Sequence, residues 1–156
     1  MNKMFGLILL ILPLSFCAKV REQNSDHAKA TKDQVPDSIL AGQTIMVAAG
    51  KFGRPNPEVS GLILKGRIGG IIFLKANKIE LLRSKRLFDS IANSNGIPRL
   101  IYATDAEPGM FSNKIPGVRP TPYNNQLKTE LECRAAAVSI AEDLISLGIN
   151  WNFAPV

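Results

Sequence analysis

Residues 98–111 read PRLIYATDAEPGMF. An apolar run, Leu100-Ile101-Tyr102, follows a proline and leads straight into two acids, Asp105 and Glu107, set around a Pro-Gly turn. Proline is tolerated at the first residue of a strand, so 98–104 reads as a buried strand. Two carboxylates at its C-terminal end could cap a helix, hold a metal, cut a bond or grip a substrate. Which of these applies depends on the sheet that carries the strand.

The pattern on either side repeats that unit. Residues 43–49, QTIMVAA, and 69–74, GGIIFL, are continuous apolar runs of strand length. Between them, 57–66 begins with proline and ends in glycine, with Val59, Leu62 and Ile63 at helical spacing. Residues 79–95 predict a helix with Leu81, Leu87, Phe88 and Ile91 on its inner side, stopped by Gly96. The longest helix is expected over 129–147, where Leu131, Val138 and Ile145 recur every seven residues before Gly148. Residues 149–156, INWNFAPV, open a fourth strand.

Fully apolar strands alternating with helices predict an α/β fold with a parallel sheet. A doubly wound sheet that binds a dinucleotide carries G-x-G-x-x-G after its first strand. Here that turn reads Gly50-Lys51-Phe52-Gly53. In a TIM-type (β/α)8 barrel the functional side chains sit at the C-terminal ends of the strands. Asp105 and Asn152 both fall there, which favours the barrel, of which about half is present. The inner faces of Ile45, Val47, Ile71, Phe73, Ile101 and Phe153 would then lack the facing half of the core.

With 156 residues, 46% of them hydrophobic and 21% charged, the chain has a globular composition and the length of one ordinary domain. The net charge of +6 is spread along the sequence. No basic cluster interleaves with aromatics, so no nucleic-acid partner is expected. Residues 1–16 have the short apolar core of an export signal, since a membrane span needs about 20 apolar residues. The order Leu14-Ser15-Phe16-Cys17 resembles the lipobox of bacterial lipoproteins, whose cysteine is acylated, although Phe16 stands where a small residue is usual. The alternatives are an ordinary signal peptide cut nearby and an uncleaved anchor. An exported, membrane-anchored lipoprotein of the bacterial periplasm or outer membrane is expected, with Cys17 as its lipid site. Residues 17–36 are polar and lysine-rich, a tether between membrane and domain. His27, the sole histidine, lies in it, without neighbours to tune it. With Cys17 acylated, Cys133 has no disulfide partner and is expected as a small buried hydrophobe of the long helix.

Four blocks, KGRIGGIIFLKAN (65–77), PRLIYATDAEPGMF (98–111), IPGVRPTP (115–122) and LGINWNFAPV (147–156), resemble in that order the N-terminal barrel of glycoside hydrolase family 3. The resemblance runs from about residue 40 to the last residue, so that 37–156 is read as a partial barrel domain. It implies hydrolysis of terminal β-linked sugars with retention, in a β-N-acetylhexosaminidase-type or β-glucosidase-type enzyme. It also implies that Asp105 holds sugar hydroxyls. An ionised carboxylate suits that task, because it accepts two hydrogen bonds and two neighbouring hydroxyls present two donors. Two departures matter. Pro108-Gly109-Met110 stands where the family has Gly-Gly then Arg. The sequence also stops after Phe153-Ala154-Pro155-Val156. The family's general acid/base and its nucleophile come later, so no catalytic residue is assigned among the 156.

The two acids could form a pair by themselves, since alternate residues of a strand lie about 6.6 Å apart. Glycosidase carboxylates are separated by roughly 5–9.5 Å. However, both would approach from one side, and the mechanism needs them on opposite sides of the scissile bond. Asp105 is therefore assigned to substrate binding, against the structural alternative of an acid accepting turn N–H groups. Glu107 is read as a buttress of the loop or a second sugar contact. No further His or acid stands close enough in sequence to complete a ligand set, so neither a metal nor a cofactor is expected. The expected partner is a carbohydrate, a glycan or cell-wall fragment. The competing function is a non-catalytic glycan-binding lipoprotein or an inactive gene fragment.

Overall fold

The computed structural model describes residues 35–154. The signal segment 1–16, Cys17, His27 and nearly all of the 17–36 tether lie outside the described residues. In chain order the elements are α1 (Asp37–Gly42), β1 (Met46–Ala48), α2 (Pro57–Leu64), β2 (Gly70–Ile72), α3 (Lys78–Ser94), β3 (Ile101–Thr104), α4 (Phe111–Lys114), α5 (Glu130–Leu147) and β4 (Trp151–Asn152). Two short 3₁₀ turns, Lys51–Gly53 and Asn124–Gln126, stand in the loops.

Local chemistry sets the helix ends. The Asn56 and Asn77 side chains each accept a hydrogen bond from a first-turn N–H, of Glu58 and Ile79, both at 2.9 Å. At α5 the Thr129 hydroxyl accepts from the Glu132 N–H, and the Glu132 carboxylate accepts from the Thr129 N–H at 2.9 Å. These bonds hold the Glu132 carboxyl below the usual carboxylate range, the Lys128 N–H being the largest contributor. Gly148 closes α5 in the left-handed region, at φ +67°.

The sheet is parallel, in the order β1-β2-β3-β4. Strands laid side by side in sequence order, with no reversal, are those of a TIM-type barrel; a doubly wound sheet reverses at a switch point. Register partners share a face of the pleat. Val47, Ile71 and Tyr102 are aligned on one face. Ala48, Ile72, Ala103 and Trp151 are aligned on the other. The first face lies under the helices: Ile71 and Phe73 are buried there with Leu81 and Phe88 of α3. Phe73 stacks on Tyr102 with ring centroids 6.3 Å apart. Burying one such side chain stabilises by about 1.5–3 kcal/mol.

Several sequence expectations need correction. Residues 43–45 follow helix α1, which the apolar run concealed, and β1 begins only at Met46. Val47, Ile71 and Phe73 face the helices and are covered, so they are not part of the open inner face. Ile101 and Phe153 lie on that face as expected, together with Met46, Ile72 and Trp151. On α3, Leu81 and Phe88 are buried, whereas Leu87 is exposed. On α5 the seven-residue stripe points away from the sheet, with Leu131 76% and Ile145 75% exposed. The buried face is Ala136, Ile140, Leu144 and Leu147. Both stripes are apolar, and only the sheet's position selects between them. Cys133 is exposed as well, because it sits in the first turns of α5, ahead of the buried stretch that starts at Ala136.

The outer strands of the sheet are β1 and β4. Trp151 is 52% and Phe153 44% exposed on the inner face, beside half-buried Ile101. Parallel strands are normally covered on both faces. The 156-residue chain is therefore expected to self-associate or to bind a hydrophobic dye, with Trp151, its sole tryptophan, emitting at long wavelength. A monodisperse monomer with a sharp melt and no dye binding would contradict this.

Candidate functional site

Three loops leave the C-terminal edge of the sheet: 49–56 after β1, 73–77 after β2 and 105–129 after β3. Backbone bonds join them. The Asn77 N–H donates to the Phe52 carbonyl at 3.2 Å, and the Ala76 N–H donates to the Lys114 carbonyl at 3.0 Å. The buried Ser84 hydroxyl of α3 donates to the Gly53 carbonyl at 2.5 Å. The loops thus form one connected rim.

Asp105 is the first residue beyond β3. One carboxylate oxygen, Oδ2, forms an ion pair with the Lys114 ammonium, which also donates to the Asp105 carbonyl at 3.1 Å. Both side chains are about three-quarters buried. The other oxygen, Oδ1, is buried and has no hydrogen-bond partner among the described residues. Such an atom costs about 1–3 kcal/mol unless something donates to it, more for a charged group. The carboxylate is held in place by one cation and retains acceptor capacity.

The turn after it is fixed from β4. Asn152 Oδ1 accepts the Ala106 N–H at 2.9 Å, and its Nδ2 donates back to the Ala106 carbonyl at 3.4 Å. Two residues earlier, Asn150 Oδ1 accepts the Tyr102 N–H at 2.9 Å. Asn152 pairs in register with Thr104 and so lies on the helix-facing side. It braces the acid-bearing turn and does not face the open side with Asp105. Glu107 is half-buried, and its carbonyl accepts the N–H groups of Met110 and Phe111 where α4 begins. Gly109 has φ +76°, and a Cβ there would come within 2.5 Å of the Tyr123 ring. The glycine of the departed Pro-Gly-Met sequence therefore occupies the position that needs it. Met110 follows, exposed.

The long loop is pinned to α5 through Arg119. Its backbone N–H donates to Asp143 at 2.8 Å, and its guanidinium donates to Glu142, Asp143 and the Ser139 carbonyl. The bond to Glu142, foremost among these, raises the guanidinium above its ordinary pKa.

Sequence reasoning singled out Asp105 and Glu107 but not Lys114, the partner of Asp105, which stands nine residues on in a four-residue helix. Nothing in its local pattern marks it, because the pairing exists only once α4 folds back. Phe52 was also missed; it has φ +56° and an exposed ring. Among the described residues, no three His, Cys, Asp or Glu side chains are grouped so as to hold a metal ion. No described helix is long and apolar enough to cross a membrane. Arranged in this way, the site is a hydrogen-bond acceptor with a fixed cation at the edge of a barrel-type sheet. Such a site can bind a polyhydroxylated ligand.

No family model and no curated protein matches the chain. Solved structures do. A glycoside hydrolase family 3 β-N-acetylglucosaminidase from Paenibacillus sp. str. FPU-7 superposes with a TM-score of 0.68 at 27% identity, over 78% of this chain and 24% of that one. A fungal multi-domain glycoside hydrolase family 3 β-N-acetylglucosaminidase gives 0.63 at 26% identity, over 76% of this chain and 15% of that one. The chain spans about a quarter or less of the length of these structures.

Replacing Asn152→Ala leaves the buried Ala106 N–H without its acceptor, which costs about 1–3 kcal/mol. Urea titration should register that loss, and Asn152→Asp, which keeps the acceptor, should recover part of it. Equal stability of Asn152→Ala and the parent chain would remove Asn152 as the brace.

Proposed function

We infer that this chain, which belongs to glycoside hydrolase family 3 as part of its N-terminal domain, is the sugar-holding portion of an exported β-N-acetylhexosaminidase-type glycosidase. In this reading the enzyme removes terminal β-linked N-acetylglucosaminides with retention from glycans or cell-wall fragments. The observation that carries it is Asp105: a three-quarters-buried carboxylate at the C-terminal end of a barrel-type strand, held by Lys114, with acceptor capacity left over. The two solved β-N-acetylglucosaminidases of similar fold support the choice of sugar.

Each residue has a part in this reading. Asp105 accepts hydrogen bonds from sugar hydroxyls with the lone pairs that Lys114 leaves unused, once the ligand opens access to the buried Oδ1. Lys114 is a positioning residue, keeping the carboxylate in one rotamer before the sugar arrives. Glu107 buttresses the loop through the turn that starts α4. Asn152 holds the start of that loop and Arg119 its middle. No residue of this chain is assigned as nucleophile or general acid, since Asp105 and Glu107 issue from one turn and reach a substrate from the same side. Anchoring through an acylated Cys17 accords with the apolar segment before it.

The alternative, a glycan-binding lipoprotein without catalysis, shares the Asp105 site and differs only in turnover. The 156-residue chain should bind N,N′-diacetylchitobiose weakly and leave aryl β-N-acetylglucosaminide intact. Asp105→Ala should weaken binding at least about tenfold, since a hydrogen bond to a charged group is worth about 1.5–3 kcal/mol. Binding unchanged by that substitution would refute the assignment. Turnover lost with it would make Asp105 catalytic.

Acylation is tested separately. Growth with a radioactive fatty acid should label the chain, and Cys17→Ser should abolish the label; label that persists in the variant would exclude Cys17.

A further inference from the structure

The rim carries a second feature, on the loops after β1 and β2. Phe52 adopts φ +56°, ψ +29°, the left-handed region. It is the one described residue other than glycine with positive φ. A bulky side chain there is strained and persists only where the surroundings enforce it. The enforcement is visible: the Phe52 carbonyl accepts the Asn77 N–H, and Gly53 follows at φ +77° with room for no Cβ, since Ala76 Cβ would lie 2.6 Å away. A glycine at position 52 would satisfy the same backbone with less strain. The strained backbone carries the aromatic ring into solvent, 46% exposed.

Two cations flank that ring. Lys51 Nζ lies 5.6 Å and Lys75 Nζ 5.9 Å from its centroid. The ring borders an open cleft of about 470 Å³, lined also by Arg54, Lys75, Asn77, Glu80 and Pro116. Two cations of the lining, Arg54 and Lys75, stand against one acid, Glu80, and Lys51 adds a third positive charge at the ring. Exposed cation–π contacts are weak beside a charge-assisted hydrogen bond, so the lysines are readily drawn onto a carboxylate. The cleft adjoins the Asp105 site, because Ala76 in its lining donates to the Lys114 carbonyl at 3.0 Å.

We propose that the cleft around Phe52 is an accessory subsite for an acidic sugar. The Phe52 ring carries the apolar face of a pyranose, and Lys51, Lys75 and Arg54 take its carboxylate. This rests on the sugar-binding reading of Asp105 and extends it: the preferred glycan carries a uronate-type carboxylate on a residue beyond the one that Asp105 holds. Glu80 sets the limit of the subsite, because its own charge repels a carboxylate placed on its side.

The full chain, labelled with ¹⁵N, is titrated with a hyaluronan tetrasaccharide (alternating glucuronate and N-acetylglucosamine) and with chitotetraose as the uncharged control. The acidic ligand should move the amides of Phe52, Lys75 and Asn77 and bind about tenfold more tightly than the control. Lys75→Gln should reduce that preference. Phe52→Gly should weaken the acidic ligand about tenfold while the melting temperature stays level or rises, since glycine relieves the strain. A fall in melting temperature with unchanged binding would make Phe52 purely structural and overturn the proposal. So would shifts confined to Asp105 and its neighbours with either ligand, an outcome that leaves the sugar-binding reading standing. Shifts at Phe52 alone, unaffected by Asp105→Ala, would uphold the acidic subsite and remove the reading of Asp105. Equal shifts from dextran sulfate would reduce the effect to bulk charge and overturn the proposal.

Discussion

Everything at the rim depends on the burial of β2 and β3 beneath α3. Ile71, Phe73 and Tyr102 occupy one face of the pleat, and Leu81 and Phe88 close over them. Tyr102 ties the layer together: its ring stacks on Phe73, and its hydroxyl donates to Asp89 of α3 at 2.8 Å. Lys85 completes the contact, 4.6 Å above the ring and 2.7 Å from the Asp89 carboxylate. Burial, with the Asp89 bond, drives the phenol pKa well above its ordinary value, so Tyr102 remains a neutral donor. With that layer fixed, strand ends and loop origins have no freedom to drift.

The rim is built mainly from backbone rather than from side-chain pairs. Bonds from Asn77 to Phe52 and from Ala76 to Lys114 link three successive loops, and Asn150 and Asn152 grip β3 from the neighbouring strand. Backbone groups buried at a sheet edge must be paired, so each loop conformation restricts the next. Two costly features stand at the same edge, the positive φ of Phe52 and the orphaned oxygen of Asp105. Strain and unsatisfied polarity of this kind cluster where a ligand is to be met. By contrast, the exposed ion pairs, such as Arg134 with Glu130 at 4.0 Å, contribute little.

The barrel-type sheet was legible because its signals are local. Apolar runs bounded by glycine and proline marked β2 and β3, and proline and glycine marked the helix ends. Helix α5 was placed to within a residue at its start, yet its buried face was misread. Leu131, Val138 and Ile145 form as good a stripe as Ile140, Leu144 and Leu147, and periodicity carries no information about which side meets the sheet. The same ambiguity hid α1, a six-residue helix ahead of an apolar run, and it put Cys133 inside the core.

The sequence by itself determined the alternation of four strands with α2, α3 and α5, and the position of Asp105 and Glu107 at a strand end. Those follow from chain-local rules: strand length, periodicity and turn chemistry. Only the tertiary structure decided that Lys114 is the partner of Asp105, that Asn152 braces the turn behind it, and that Phe52 projects into solvent between two lysines. Asp105 and Lys114 are nine residues apart, and Ala106 and Asn152 are forty-six. Contacts across such spans exist only when helices and neighbouring strands have set the loops in place, and no periodicity in the sequence encodes them.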